Sequence, residues 1–356
     1  MDTLSQLQDC IKAAAADKQR LRIAGAGSKS FYGNLPTGEA LDVTSHRGII
    51  SYEPTELVIT ARCGTPLAEI EALLAENGQS LAFEPPNFNV NGSQKATFGG
   101  MVAAGLSGPA RATAGAVRDF VLGIQLIDGR GQLLNFGGVV MKNVAGYDVS
   151  RLLVGSMGAL GVISQASVKV WPVARASAYL AFDAPLAEAI HQLNVWGGKP
   201  LPITASAWHG GKLTVRLAGA QAAIDAAIIE MTKTTGGTVT NAQALFTSLR
   251  HQTHPFFAKQ AGRTLMRLSL PSTSKPLGID GEALIEWGGA QRWIHTTDIA
   301  TTRAKTVAAG GHATVWRNSQ ATDEPVFTPL DAVSASIHAR LKAEFDPQGV
   351  FVTTWN

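Results

Sequence analysis

The stretch that decides the fold is residues 97–105, which read TFGGMVAAG. Gly99 and Gly100 lie among small residues there, so few side chains could fill a core, and this favours a large flat ligand lying against the backbone. Residues 155–161, GSMGALG, repeat the pattern with glycines three residues apart. The alternative for each run is tight packing of a helix or turn on a sheet, and either run taken alone leaves both interpretations open.

A third glycine-rich segment, residues 25–30 (GAGSKS), directly follows a short strand predicted over residues 21–24. Successive backbone N–H groups in such a turn can point into one concavity and bind an anion, with the Ser28 and Ser30 hydroxyls as further donors. The segment is neither a Walker A loop nor a G-x-G-x-x-G fingerprint, because no Gly-Lys-Ser/Thr triplet follows it and position 30 is serine. A plain turn is the alternative.

Composition narrows the class of protein. A length of 356 residues predicts about two domains. Charged residues make up 16% of the chain, against about 25% in ordinary soluble domains. Glycine contributes 37 residues, of which 15 fall between positions 92 and 161, and this density suggests backbone wrapped around a ligand. The net charge of +3 is scattered, so no basic block indicates nucleic-acid binding.

The cysteine count and the start of the sequence bear on the compartment. Cys10 and Cys63 are the only cysteines, which excludes a four-cysteine cluster and gives no disulfide framework. The first residues show neither a basic n-region nor an apolar h-region, so no secretory signal is predicted. The weakly polar tract over residues 97–108 is too short to span a bilayer. The expected compartment is the reducing cytoplasm.

The pattern of predicted elements changes after Pro172. Glycine-rich turns dominate before it, whereas strands interleaved with helices follow it. The second pattern suits an antiparallel α+β sheet with helices on one face. The predicted domains are residues 1–174, residues 175–325, and a C-terminal helix and tail over residues 326–356.

Polar residues outside the glycine runs give weaker indications. Residues 142–148, KNVAGYD, precede the second glycine run, and an internal pair between Lys142 and Asp148 is the alternative to a functional role. His251 and His254 could share a helix face. No acidic or cysteine partner lies near them in the sequence, which favours surface or packing histidines over a metal site. No G-x-S-x-G elbow or Cys/His nucleophile pattern is present.

Taken together, the glycine-rich segments resemble the FAD-binding domain of the vanillyl-alcohol-oxidase type, also called the PCMH fold. In that family a loop after a strand holds the FAD diphosphate, a Gly-Gly run lines the flavin, and a G-S-x-G-x-L-G-x-I run supports the cofactor. The matching segments are residues 25–30, 98–123 and 155–163. Covalent members place His or Cys in or near the first loop, where this chain has Ser-Lys-Ser, so the resemblance implies non-covalent FAD. The residues that it assigns to the cofactor are Gly25, Ala26, Gly27, Ser28, Lys29, Ser30, Pro86, Thr97, Gly99, Gly100, Ala104, Gly105, Gly108, Gly115, Gly158, Gly161, Val162 and Ile163.

A narrower resemblance is to the FAD-binding E subunit of glycolate oxidases, carried by residues 52–57 (YEPTEL), 83–86 (FEPP), 99–109, 140–152 and 341–347. It implies an α+β chain with a two-subdomain PCMH-type fold, an antiparallel-sheet cap, and a C-terminal helix that returns to pack on the FAD domain. It also implies oxidation of glycolate, a 2-hydroxy acid, to glyoxylate by hydride transfer to flavin within a complex. The implied partners are a larger FAD-binding catalytic subunit and an iron–sulfur subunit that passes electrons to membrane quinones, so that any inner-membrane association is peripheral.

One motif of the related catalytic subunits is missing. Those subunits carry a His-x-Gly-Asp-Gly-Asn segment in the cap, associated with metal and hydroxy-acid binding, whereas residues 310–314 here read GGHAT. No metal site is therefore expected. The cations available for a substrate carboxylate are Arg111, Arg118 and Lys142, and no base is assigned. The alternative hypotheses are a non-catalytic assembly and electron-relay subunit, or a stand-alone FAD-dependent oxidase of another small alcohol.

Overall fold

A computed structural model describes residues 2–34, 37–90, 93–94, 96–139, 148–318 and 324–352. The chain divides into two units. The first unit comprises Met1–Ser107, Gly115–Pro172 and Leu330–Asn356, and the second comprises Gly108–Ala114 and Val173–Pro329.

The helices are α1 (Thr3–Ala16), α2 (Leu67–Glu76), α3 (Phe98–Ala104), α4 (Arg111–Ala114), α5 (Val117–Phe120), α6 (Val149–Leu153), α7 (Leu186–Gly197), α8 (Gln221–Thr235), α9 (Gln243–His251), α10 (Ile299–Ala308) and α11 (Ala332–Phe345). The strands are β1 (Leu21–Ala24), β2 (Glu39–Asp42), β3 (Ile49–Glu53), β4 (Val58–Arg62), β5 (Gln79–Ser80), β6 (Asn89–Val90), β7 (Ser93–Gln94), β8 (Val121–Ile127), β9 (Leu133–Gly137), β10 (Val162–Lys169), β11 (Trp171–Pro172), β12 (Ala176–Asp183), β13 (Ile203–His209), β14 (Lys212–Gly219), β15 (Thr238–Thr240), β16 (Thr264–Ser269), β17 (Ala283–Glu286), β18 (Gln291–Thr296) and β19 (His312–Arg317). Short 3₁₀ turns occupy Pro255–Phe257 and Trp287–Gly289.

The first unit is built on a five-stranded antiparallel sheet with the strand order β3-β4-β10-β8-β9. Strand β10 lies at its centre and is buried at most positions. Strands β1 and β2 form a separate parallel pair. Helix α1 buries Leu7 and Ile11 in one core with Leu21 of β1. Asp2 caps that helix by accepting hydrogen bonds from the N–H groups of Leu4 and Ser5.

The C-terminal segment extends the parallel pair of the first unit. Phe351 bridges Leu21 of β1 in parallel. The Leu21 N–H donates to the Val350 carbonyl at 2.7 Å, and the Val352 N–H donates to the Leu21 carbonyl at 3.0 Å. The last described residues therefore hold β1, the strand that leads into the first glycine-rich loop.

A buried carboxylate fixes this C-terminal segment. Asp346 is 2% exposed. It accepts hydrogen bonds from the N–H groups of Val350 and Phe351, both at 2.8 Å, and from Lys342 Nζ at 2.6 Å. Lys342 Nζ also donates to the Ala159 carbonyl at 2.7 Å. Helix α11 is thereby tied to the second glycine run.

The second unit is built on an eight-stranded antiparallel sheet with the order β15-β12-β14-β13-β17-β18-β16-β19. Helices α7 and α8 share a core with β12 and β14, which includes Leu180 and Trp196. Tyr179 neighbours Leu180 on β12, so its side chain points to the other face, where it stacks on Phe246 of α9 at 5.9 Å. The α+β class and the antiparallel second sheet are confirmed. The expectation of helices on one face alone missed α9.

Replacement of Asp346 by alanine tests the C-terminal anchor. The change removes the counter-ion of Lys342 and the acceptor of two backbone N–H groups, and breaking such a buried pair costs about 3–5 kcal/mol. We expect the free energy of unfolding to fall by about 3 kcal/mol in a urea titration. Asp9→Ala is the matched control, because its contact with Lys12 is exposed, at 3.9 Å, and such pairs contribute roughly 0–1 kcal/mol. Equal losses in the two variants would contradict the assignment.

Candidate functional site

A cleft of about 300 Å³ lies within the first unit, at the lower end of the roughly 300–1,000 Å³ range of small-molecule sites. Three segments form most of it: β1 with the loop after it, the start of α3, and the stretch that leads into β10. The lining residues are Arg22, Ile23, Ala24, Gly25, Ala26, Gly27, Ser28, Lys29, Ser30, Tyr32, Asn34, Val43, Cys63, Thr97, Gly99, Gly100, Ala103, Ala104, Met157, Gly158, Gly161, Val162 and Ile163.

The loop after β1 is a tight turn. Gly27 has a φ of +74°, in the left-handed region that favours glycine. Its carbonyl accepts hydrogen bonds from the Ser30 N–H at 3.2 Å and from Ser30 Oγ at 2.9 Å. The Lys29 carbonyl accepts from the Tyr32 N–H at 2.9 Å. These bonds hold the loop where Ser28, Lys29 and Ser30 together line the cleft.

Helix α3 presents backbone and small residues to the cleft. Thr97 caps the helix and accepts a hydrogen bond from the Gly100 N–H at 3.2 Å. A Cβ built at Gly99 would lie 2.4 Å from the Cβ of Cys63, so the helix can approach the end of β4 this closely only because residue 99 is glycine. The part of the cleft wall that α3 supplies therefore consists of backbone and small side chains, namely Gly99, Gly100, Ala103 and Ala104.

The charges and thiol of the cleft set its chemistry. Arg22 and Lys29 both line it. Burial lowers the pKa of Lys29 to about 8, and its Nζ lies 3.4 Å from Ser28 Oγ. A bound anion would raise that pKa again, because an opposite charge favours the ammonium form. Burial raises the pKa of the Cys63 thiol to about 12, so this side chain stays protonated and acts as an apolar wall.

Most residues that the sequence assigned to the cofactor line this one cleft, namely Gly25, Ala26, Gly27, Ser28, Lys29, Ser30, Thr97, Gly99, Gly100, Ala104, Gly158, Gly161, Val162 and Ile163. The others lie outside the lining: Pro86, Gly105, Gly108 and Gly115. The assignment of both groups of residues to the cofactor stays a prediction. Gly105 ends α3 with a φ of +62°. Gly115 lies against the side chain of Asp119, which accepts a hydrogen bond from the Ala116 N–H at 2.8 Å.

The three cations suggested for a substrate carboxylate do not share one location. Arg118 is exposed on α5 of the first unit, and Lys142 lies outside the described residues. Arg111 begins α4 in the second unit, with its guanidinium carbon 4.6 Å from the centre of a Trp287 ring. The Trp287 Nε1–H donates to the Gly108 carbonyl at 2.9 Å, so the indole is held beside the segment that carries Arg111.

Sequence reasoning missed several lining residues: Arg22, Ile23, Ala24, Tyr32, Asn34, Val43, Cys63, Ala103 and Met157. Arg22, Tyr32 and Asn34 flank the predicted anion-binding loop, so their polar groups were an available signal. Val43 and Cys63 carried no such signal. Their positions depend on the pairing of β1 with β2 and on the packing of α3 against β4.

Comparisons with known proteins identify the cofactor. A family model described as "FAD binding domain" matches residues 1–137. The chain is 45% identical to glycolate oxidase subunit GlcE of Escherichia coli over 352 residues, which cover 98% of this chain and 96% of that protein. It is 31% identical over 150 residues to glycolate oxidase subunit GlcD of Bacillus subtilis, covering 42% of this chain and 31% of that protein. It is 29% identical over 165 residues to a D-lactate dehydrogenase of Archaeoglobus fulgidus, covering 46% of this chain and 36% of that protein.

A solved structure shows the same fold. The chain of an alkyldihydroxyacetonephosphate synthase superposes with a TM-score of 0.66 at 13% identity, covering 97% of this chain and 73% of that one. FAD is accordingly the cofactor, and the cleft fits it in two respects: a wall of backbone and small side chains suits the ring systems, and Lys29 with two serine hydroxyls suits the diphosphate.

Two further features are those of the described residues alone. Among them, no helix combines the length and the apolar character needed to cross a membrane. Within the same ranges, no three His, Cys, Asp or Glu side chains are grouped to hold a metal ion.

The pH dependence of FAD affinity tests Lys29. Because burial sets its pKa at about 8 in the ligand-free cleft, the ammonium is present in full well below pH 8 and is lost as the pH rises through 8. Binding of the diphosphate above pH 8 therefore requires uptake of a proton. We expect the affinity, measured by flavin fluorescence on the apoprotein, to fall about tenfold between pH 7 and pH 9.

The matched variants separate charge from packing. Lys29→Arg keeps a charge throughout this range, so its affinity should be nearly independent of pH, whereas Lys29→Met should bind weakly at every pH. An unchanged pH profile in Lys29→Met would contradict the assignment of Lys29 to the diphosphate.

Proposed function

This chain belongs to the family of glycolate oxidase subunit GlcE, and we propose that it is the FAD-binding subunit of a multi-subunit oxidase that converts glycolate to glyoxylate. The observation that carries the proposal is the cleft of the first unit, whose glycine-built wall and cationic loop suit FAD. The identity to the Escherichia coli subunit over almost the whole of both chains supports it further.

Different described residues would bind different parts of the cofactor. Ser28, Lys29 and Ser30 would hold the diphosphate, and the backbone of Gly99 and Gly100 would flank a ring system. The second glycine run, with Gly158 and Gly161 in the cleft wall, would support the rest of the dinucleotide. When bound, FAD accepts a hydride from the carbinol carbon of a 2-hydroxy acid.

We assign a non-covalent mode to this binding. Cys63 is the cysteine of the cleft, and burial raises the pKa of its thiol to about 12. A thiol that stays protonated is a poor nucleophile, and the first loop offers serine and lysine in place of histidine or cysteine. Acid precipitation of the protein should therefore leave the flavin in the supernatant.

Arg111 is our choice for recognition of the substrate carboxylate. A planar guanidinium can donate two parallel hydrogen bonds to a carboxylate, and stacking on an aromatic face fixes its plane beforehand. Arg111 is half-buried and lies over Trp287 at 4.6 Å. Arg118 is exposed and lacks an equivalent stacking contact among the described residues, so it is the weaker candidate.

The proposed partners follow from the same family. We propose a larger FAD-binding catalytic subunit and an iron–sulfur subunit, with electrons passed on to membrane quinones. Such an assembly would lie in the cytoplasm and would reach the inner membrane through its partners. The naming of GlcE and GlcD as subunits of glycolate oxidase supports the multi-subunit part of this proposal.

The test of the function is reconstitution of the complex with and without this chain. Glyoxylate formation from glycolate should require the chain, and the purified chain should release FAD on denaturation. Two results would overturn the proposal: a chain that binds no flavin, or a complex that forms glyoxylate equally well without it.

Arg111→Lys tests the carboxylate assignment in the assembled complex. The loss of a bidentate hydrogen bond to a charged group costs about 1.5–3 kcal/mol, so the KM for glycolate should rise roughly 10- to 100-fold. Flavin content should not change, because Arg111 lies outside the cleft lining. Arg118→Lys is the control and should leave the KM within about twofold. A normal KM in Arg111→Lys would contradict this role.

A further inference from the structure

Two histidines bond the backbone of one buried residue in the second unit. Phe256 is 2% exposed and lies in the 3₁₀ turn after α9. Its N–H donates to His254 Nδ1 at 3.3 Å, and its carbonyl accepts from His295 Nε2 at 2.7 Å. A third imidazole, that of His209, packs edge-on against the Phe256 ring at 5.5 Å. We call residues 254–258 the histidine turn.

The hydrogen bond to His254 requires a neutral imidazole. His254 Nδ1 accepts a bond from an N–H, so this nitrogen must keep its lone pair. His295 Nε2 bonds a carbonyl and therefore carries the proton, which leaves Nδ1 unprotonated in the neutral ring. That Nδ1 is buried and has no hydrogen-bond partner among the described residues. A proton added to His254 removes the acceptor of the Phe256 N–H.

The groups around the turn make a positive charge on His254 unfavourable when His209 is charged. His209 Nε2 lies 2.7 Å from Glu282 Oε1, and Gln260 Nε2 donates to Glu282 Oε2 at 2.8 Å. The His209 and His254 rings meet edge to face at 5.4 Å. Burial is the main cause that lowers the pKa of His254; a charge on His209 lowers it further, and Glu282 opposes the shift.

Permanent cations face the turn from the neighbouring strands. Arg317 on β19 donates to the Phe257 carbonyl at 3.3 Å, and Arg263, just before β16, donates to the His295 carbonyl at 3.2 Å. Along the chain, Arg250, His251 and Lys259 flank the turn. Glu282 is the carboxylate that offsets these positive charges. The hydrogen bond from His209 is the main cause that lowers the pKa of Glu282.

Aromatic rings pack against one another in a row that runs from the histidine turn across the sheet. Phe257 packs on Trp293 of β18 at 5.3 Å, and Trp293 packs on Trp316 of β19 at 5.1 Å. The Trp316 Nε1–H donates to Gln252 Oε1 at 2.8 Å. Release of the turn would therefore uncover large apolar rings.

We propose that the histidine turn is a pH-operated latch: it is closed while His254 is neutral and opens when His254 takes up a proton, which uncovers Phe256, Phe257 and Trp293. A histidine whose folded-state pKa is lowered stabilises the closed form in full above its ordinary value of about 6.5. That stabilisation is lost as the pH falls below 6.5 and through the folded-state value. The latch is independent of the proposed oxidation of glycolate.

Hydrogen exchange of the FAD-loaded protein tests the latch. After correction for the intrinsic pH dependence of exchange, protection of the Phe256 and Phe257 amides should fall about tenfold or more between pH 7.5 and pH 5. Flavin absorbance recorded in parallel should stay constant, because the opening is local. A flat protection profile in the wild-type protein would overturn the proposal without any variant.

Three variants locate the titrating group. His254→Asn keeps a side-chain acceptor suited to a helix N-cap but cannot take up a proton, so its turn should stay protected at pH 5. His209→Gln can still donate to Glu282 and removes a charge that lowers the pKa of His254, so protonation should oppose the closed form less and the loss of protection at pH 5 should be smaller than in the wild type. His191→Asn, at an exposed site on α7, should match the wild type. A wild-type profile in His254→Asn, or a larger loss of protection in His209→Gln, would contradict the latch.

Discussion

The first unit depends on one close approach, that of α3 to the end of β4. No Cβ fits at Gly99, because it would lie 2.4 Å from the Cβ of Cys63. Thr97 caps the same helix, and a Cβ at Gly25 would lie 3.0 Å from its Oγ1. The first loop and α3 therefore meet at a threonine through glycine backbone. Side chains are sterically excluded where these elements meet, so Gly99 is required by the packing of α3 on the end of β4.

An apolar wall gives contact area but cannot orient a ligand along itself. Orientation requires charge, and Lys29 supplies it at the loop end of the cleft. The burial that lowers the pKa of Lys29 to about 8 also reduces screening around it. An ion pair formed there is therefore stronger than one on the surface. In the binding mode that we propose, contact area and orientation would come from different residue types, and the position of Lys29 depends on the turn that Gly27 closes.

The sequence could predict those parts of the site that are continuous in the chain. The glycine runs and the serine-lysine loop are local patterns, and the structure brings them to one cleft. Cys63 and Val43 enter the same cleft through strand pairing, which no local pattern records. The histidine turn shows the same limit: His254 has no acidic neighbour in the sequence, whereas Glu282 and His209 meet across a separation of 73 residues. Helix α9 was missed because its packing partner, Tyr179, lies on a distant strand.

The segment GGHAT places its histidine near the positive charge of an arginine. His312 opens β19 opposite Ser269 of β16, and partial burial together with the positive charge of Arg267 lowers the pKa of its imidazole. A divalent metal at this histidine would meet the repulsion of the same guanidinium, and the neighbouring residues of the segment offer no carboxylate to offset it. Arg111, whose guanidinium stacks on Trp287, is the described residue that we propose for recognition of an anionic substrate.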